Sequence, residues 1–202
     1  MKHIVKGSEP QRFTDWKASP KNNTFKKLKG NVKRDVKNAL IAEQGGICCY
    51  CEVKLEYDDS HIEHLNPQCQ SLEGQLDFAN MLCSCQQNLK KGEPRHCGNS
   101  KGDELISITP LQSDCETKFT YTADGYIGFT DKASQETIKH LQLGIDKLNN
   151  LRENAIEPFI IDPITFDPIS QEDARIFAEA YLQPREGCFN EFYTTVKYLF
   201  MQ

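Results

Sequence analysis

The sequence predicts an α+β protein in which a small metal-held core sits between two flanking regions, one basic and one mainly helical. Three observations predict it. Seven of the nine cysteines and three of the five histidines fall between Ile47 and Gly102, a density that points to a metal centre. Short runs inside that block alternate apolar and polar residues, as strands do. Outside it, apolar residues recur at helical spacing on both sides. The division that follows is a basic N-terminal arm and helix over 1–46, the core over 47–110, and a β-hairpin with helices over 111–202.

Length and composition fit this reading. The chain has 202 residues and a 38% apolar fraction, enough for one domain or a core with an appended one. No apolar run approaches the roughly 18 residues of a membrane span. Met1-Lys2-His3-Ile4-Val5-Lys6 lacks the apolar core of a signal peptide. A cytoplasmic location is therefore expected, where clustered cysteines indicate metal before disulfides. Net charge is −5, but residues 1–40 hold eleven Lys or Arg against three acids, and the remainder holds 13 against 26. Lys26, Lys27, Lys29, Lys33 and Arg34 are the candidates for nucleic-acid backbone contact; the alternative is a solvated basic surface.

Taken in order, residues 1–30 read as an extended arm, because Gly7, Pro10, Pro20, Gly30 and the polar run 19–24 break periodicity. Phe13 and Trp16 are expected to pin it to the body. Asn31 is the expected cap of a helix carrying Val32, Val36, Leu40 and Ile41, with Lys33, Arg34 and Lys37 on its other side and Gly45-Gly46 at its end. Ile47–Leu55 reads as a knuckle and His61–Leu65 as a strand closed by Asn66-Pro67. Residues 66–76 read as a loop, Leu76–Leu82 as the segment that brings in Asn80, and Gln86–Arg95 as an inserted loop. A short helix or turn follows Cys97. Phe119–Phe129 alternates about Asp124-Gly125, a hairpin signal. Helices then start from Ser134, Asp146 and Ser170, and a last one spans Phe189–Phe200. Their apolar stripes are expected to be core or partner surface.

The chemistry lies in the central block. Cys48 and Cys51 form a C-x-x-C half-site for structural zinc. Cys83, Cys85 and Cys97 compete for the second half; Cys85 and Cys97 are favoured, with Cys83 as the alternate. At the end of a strand, Glu63 is placed to ligate a hard cation while His64 faces the attacking water. A neutral imidazole suits a general base, and a divalent ion stabilises the leaving oxygen of a phosphodiester.

Ile62-Glu63-His64, Asn80-Met-Leu-Cys-Ser-Cys and His96-Cys-Gly-Asn-Ser-Lys-Gly-Asp103 together resemble the HNH endonucleases. Over most of the chain the sequence is similar to the PtuB-type HNH proteins of Septu and retron anti-phage defence systems. Lys6-Gly7-x-Glu9-Pro10, Tyr121-x-x-Asp-Gly and the 141–152 segment carry the softer part of that likeness. The resemblance implies a ββα-metal core with structural Zn2+ and a catalytic Mg2+ or Mn2+. It implies that His64 is the base, that Asn80 holds the loop and orients His64 through its amide, and that Lys101 belongs to the site with Glu63. The family pattern places a His or Asn directly after the last cysteine; here Gly98 stands there, so His96 or Asn99 is expected to replace it as ligand. The resemblance further implies a PtuA-type SMC/ABC-like ATPase partner, with a retron reverse transcriptase and its msDNA as a second candidate; the chain has no Walker A pattern of its own. DNA is the first expected substrate, with RNA, including tRNA, open. The competing reading is a non-catalytic zinc module binding nucleic acid or protein, which would not need Glu63, His64 and Asn80. A thiol redox protein using Cys48 and Cys51 would need a βαβ context that the sequence lacks.

Overall fold

A computed structural model describes residues 1–69 and 73–201. Its centre is a pair of short antiparallel strands, β1 (Ser60–His64) and β2 (Met81–Cys85). The register sets Ser60 opposite Cys85 and His64 opposite Met81. Two helices precede them, α1 (Gln11–Lys17) and α2 (Gly30–Glu43), and α2 packs across both strands. Between the strands, a 3-10 turn at Phe78–Asn80 is capped by the Asp77 carboxylate, which accepts from the Ala79 amide. The loop expected over 66–76 includes residues 70–72, which lie outside the described residues; Glu73–Leu76 form a 3-10 turn. After the irregular 86–97 segment comes a single helical turn, α3 (Gly98–Lys101).

The expected hairpin is present as β3 (Phe119–Tyr121) and β4 (Ile127–Phe129). Gly125 turns it with φ +78°, and a Cβ there would lie 2.1 Å from the Asn149 carbonyl oxygen, so both backbone and space require glycine. The helices α4 (Lys132–Leu141), α5 (Asp146–Ile156), α6 (Gln171–Tyr181) and α7 (Tyr193–Phe200) follow. Arg152 is buried and donates to the carbonyls of Gly125 and Leu143 and to Asn149 Oδ1, tying the turn to α5. Ser170 caps α6 by accepting from the Asp173 amide. The C-terminal stripes do form core: Ile156, Phe159, Ala178, Leu182 and Val196 make a second apolar cluster. No helix among the described residues is long and apolar enough to cross a membrane.

Several local expectations are corrected. The first thirty residues are not extended throughout, since α1 lies within them, while Phe13 and Trp16 pin them to the body as expected. Met1, Ile4, Phe13 and Leu28 are buried in the main apolar cluster, which runs from Met1 to Leu148; each such side chain contributes about 1.5–3 kcal/mol by leaving water. The Met1 ammonium is buried against Glu52 Oε1 at 2.8 Å, and the Ile4 amide donates to the Pro110 carbonyl. Breakers in the sequence exclude a long helix there, but they say nothing about docking. α2 starts at Gly30 after Lys29 rather than from an Asn31 cap. Lys37 is not on a solvated face: its ammonium reaches the Tyr57 and Ser60 carbonyls and locks α2 to the start of β1. Ser134 is not the cap of α4 but its third residue, in a reciprocal box with Asp131. α7 begins at Tyr193 because Phe192 adopts φ 50° and gives its amide to the Glu52 carbonyl.

Candidate metal centre and adjoining cleft

The knuckle closes on itself. The Cys48 amide donates to the Val53 carbonyl and the Glu52 amide to the Cys48 carbonyl. Glu52 takes φ 66° and Gln86 φ 65°, so the chain makes the same left-handed step straight after Cys51 and after Cys85. Gln44 clamps the two turns together. Its amide donates to the carbonyls of Ile47 and Cys83, and its oxygen accepts from the Cys83 amide. Cys97 is set by its own amide, bonded to the Leu141 carbonyl. The outcome is four buried sulfurs, Cys48, Cys51, Cys85 and Cys97, all within 4.8 Å of one another.

This donor set fits zinc: four soft ligands on two turns, shut off from water. Burial would push the Cys48 thiol up, but hydrogen bonds from Cys49, Cys51, Cys85 and Cys97 reverse this and hold it well below the usual range. Burial and those same neighbours push Cys97 well up, and hydrogen bonds with Cys48 and Cys51 raise Cys85. A bound dication favours the thiolate form of its sulfur ligands. Cys83, the alternate, is outside the group. It is buried beside Ser60 and Lys37, and burial pushes it up to about 12.

Along β1, from His61 to His64, runs an open cleft of about 430 Å³, lined by His61, Glu63, His64, Gln68, Gly98 and Asp103 among others. His64 is buried and its ring is fixed on both nitrogens. Nε2 lies 3.0 Å from the Gln75 carbonyl, and Nδ1 lies 3.2 Å from Gln68 Nε2. A carbonyl only accepts, so the proton is on Nε2 and Nδ1 carries the lone pair. Phe25 packs edge-on against this ring at 4.6 Å. Burial lowers the His64 pKa below the ordinary imidazole value, which favours the neutral form. Glu63 Oε1 accepts from the Tyr50 hydroxyl at 3.3 Å and pairs with Lys101 at 3.1 Å, while Oε2 faces His61 Nε2 at 3.6 Å. Lys101 is fully buried and also donates to the His64 carbonyl, so one ammonium grips both residues of the Glu63-His64 step.

Asn80 holds the loop, but it has no bond to the His64 ring. Its amide donates to the carbonyls of Asn66 and Gly74, and its oxygen accepts from the Asn66 amide at 2.7 Å. It thus positions the stretch whose next carbonyl, that of Gln75, fixes His64. His96 and Asn99 are not brought to Glu63. The His96 ring stacks into the sulfur cluster, 3.1 Å from Cys97 Sγ, and Asn99 donates to the Gln86 carbonyl. Within α3 it is Gly98 and Lys101 that face Glu63. Lys26, Lys27, Lys29, Lys33 and Arg34 are all exposed on the segment that carries Phe25 to the cleft. Sequence reasoning missed His61, Tyr50, Gln68, Gln75 and Gln44. His61 had a signal, since residues two apart in a strand share a face; the others act through contacts that no local pattern encodes.

No family model matches the chain. A protein of Vibrio cholerae serotype O1 biovar El Tor, named as the candidate HNH endonuclease of retron Vc95, is 32% identical over 139 residues, covering 64% of this chain and 67% of that protein. The Escherichia coli protein named likewise for retron Ec83 is 29% identical over 96 residues, 42% of this chain and 37% of that one. The chain belongs to this retron HNH endonuclease family.

Proposed function

We propose that the chain is a metal-dependent endonuclease that hydrolyses phosphodiester bonds, with β1, β2 and α3 forming a ββα-metal core around a structural zinc. The observation that carries this reading is the His64 ring. Its proton is fixed on Nε2 by a backbone carbonyl, and its basic Nδ1 stands in an open cleft beside a carboxylate. A zinc-binding module has no need of that arrangement.

In this reading, Glu63 holds a Mg2+ or Mn2+ ion, which supplies electrostatic stabilisation of the phosphate and the leaving oxygen. His64 Nδ1 takes a proton from the attacking water once substrate displaces the exposed Gln68 amide. Lys101 holds the Glu63-His64 backbone, and Asn80 holds the 66–74 loop. The cysteine cluster, bearing zinc, fixes β2 and α3 relative to β1. The exposed lysines of the 26–34 segment take the nucleic-acid backbone. DNA is the substrate we favour over RNA. The retron names of the relatives support a role as effector in an anti-phage complex, with an SMC/ABC-like ATPase as regulatory partner.

The test is cleavage of plasmid DNA and of total RNA in Mg2+ or Mn2+ by the wild type and by His64→Ala, each alone and co-expressed with a neighbouring ATPase. Cutting that falls by about 10²–10⁴ in the variant supports the assignment and names the polymer. A variant that cuts at the wild-type rate removes His64 as base. No cutting in any preparation, with zinc bound and fold intact, favours the binding module.

A further inference from the structure

We propose that His61 supplies the imidazole ligand of the divalent ion held by Glu63, and that Gly98 is the gap that admits it. The inference rests on the nuclease reading and names the ligand that reading lacks. Three observations converge. First, His61 and Glu63 lie two residues apart in β1 and aim at one point, with Nε2 and Oε2 3.6 Å apart. The other carboxylate oxygen is taken by Tyr50 and Lys101, so Oε2 is the one facing the cleft. A cation placed between a carboxylate oxygen and an imidazole nitrogen is an ordinary use of such a pair.

Second, Gly98 has no backbone need for glycine, since it begins α3 with helical geometry. What it lacks is space. A Cβ there would lie 2.5 Å from Glu63 Oε2 and 2.7 Å from His61 Nε2. A side chain at this position would crowd the tips of His61 and Glu63 where they now stand; the chain has glycine on the helix and histidine on the strand. Third, His96 and Asn99 are committed elsewhere, to Cys97 and to the Gln86 carbonyl. His61 is only partly buried and borders both the main cleft and a second hollow of about 270 Å³ beside Lys33 and Tyr57. The cation site is therefore open to a phosphate. An imidazole–carboxylate pair also prefers borderline first-row dications, so Mn2+ is bound ahead of Mg2+.

The test is Mn2+ uptake by the full zinc-loaded chain without substrate, followed by electron paramagnetic resonance and by calorimetry, with zinc content and melting recorded for each variant. His61→Ala and His61→Gln are expected to weaken Mn2+ by more than about tenfold and to narrow the Mn2+/Mg2+ preference, with zinc and melting unchanged. Glu63→Gln is expected to lose the ion as well. If both His61 variants bind Mn2+ like the wild type while Glu63→Gln does not, the ligand assignment is overturned and the nuclease reading stands. If the wild type takes up no Mn2+, both fall.

Discussion

The cysteine cluster and the His61–Glu63–His64 cleft share two strands and a short helix: the sulfurs gather at the Cys85 end, and the cleft runs from His61, one pair in from that end, to His64 at the other. Cys85 closes β2 where Ser60 opens β1, and His64 closes β1 where Met81 opens β2. At one end four sulfurs converge, all buried, with nothing left for a further ligand. Along β1, a carboxylate and two imidazoles line an open cleft. A closed tetrahedral set is what a structural ion needs, and open positions are what a catalytic one needs. The contrast teaches that roughly fifty residues carry a closed, sulfur-lined site and an open cleft lined by a carboxylate and two imidazoles on one pair of strands.

The largest effect expected from breaking this arrangement is at the closed end. In Cys48→Ser, three thiols remain and the site loses a soft ligand. Structural zinc contributes on the order of 10 kcal/mol to small domains, comparable to the whole stability of a typical domain. The variant is expected to be insoluble, or to melt roughly 10–20 °C lower with less than one zinc per chain. A soluble variant with full zinc content would take Cys48 out of the ligand set.

How much of this was legible differs between the two ends. The zinc set was read from residue type and spacing, with Cys85 and Cys97 favoured over Cys83, because sulfur ligands have few other uses at that density. The cleft was legible in its centre and not at its edges. Glu63, His64 and Asn80 stand out by position, and Lys101 by motif. His96 and Asn99 look suitable in the linear sequence, but the His96 ring lies against Cys97 Sγ and the Asn99 amide against the Gln86 carbonyl. Tyr50 and Gln75 contribute a hydroxyl and a backbone carbonyl, which carry no chemical signature in a sequence. The N-terminal segment was legible in part: Phe13 and Trp16 were expected to pin it and do, whereas its glycines and prolines hid α1, and the burial of Met1, Ile4 and Leu28 depends on distant partners.

A smaller effect, confined to the open end, is expected from Asn80→Ala. The substitution removes three hydrogen bonds, two to Asn66 and one to Gly74. Net loss of stability should be about 1–3 kcal/mol, a melting shift of roughly 2–10 °C. Zinc content should not change, because no atom of Asn80 touches the sulfurs. Cleavage should fall by about 10–100-fold through the Gln75 carbonyl that fixes His64. An unchanged rate in a destabilised variant would show that the loop does not govern the His64 ring.

The smallest effect is expected outside both metal environments, on the basic segment that borders the cleft. Lys26, Lys27 and Lys29 are exposed, and Phe25 next to them touches the His64 ring. Lys27 also bonds the Lys21 carbonyl and Asn23 Oδ1, so part of its role is local. Each lysine that neutralises a phosphate adds about 0.9 to the slope of log K against log salt on duplex DNA, and about 0.7 on a single strand. Changing all three to glutamine should therefore weaken binding at low salt and flatten that slope by up to about 2–3 units. The single-turnover cleavage rate at saturating enzyme should be unchanged, because the segment's ammonium groups act on binding alone. A triple variant whose salt slope equals the wild type's would assign these lysines to a solvated surface. The nucleic-acid path would then be sought along Lys33 and Arg34, on the exposed start of α2.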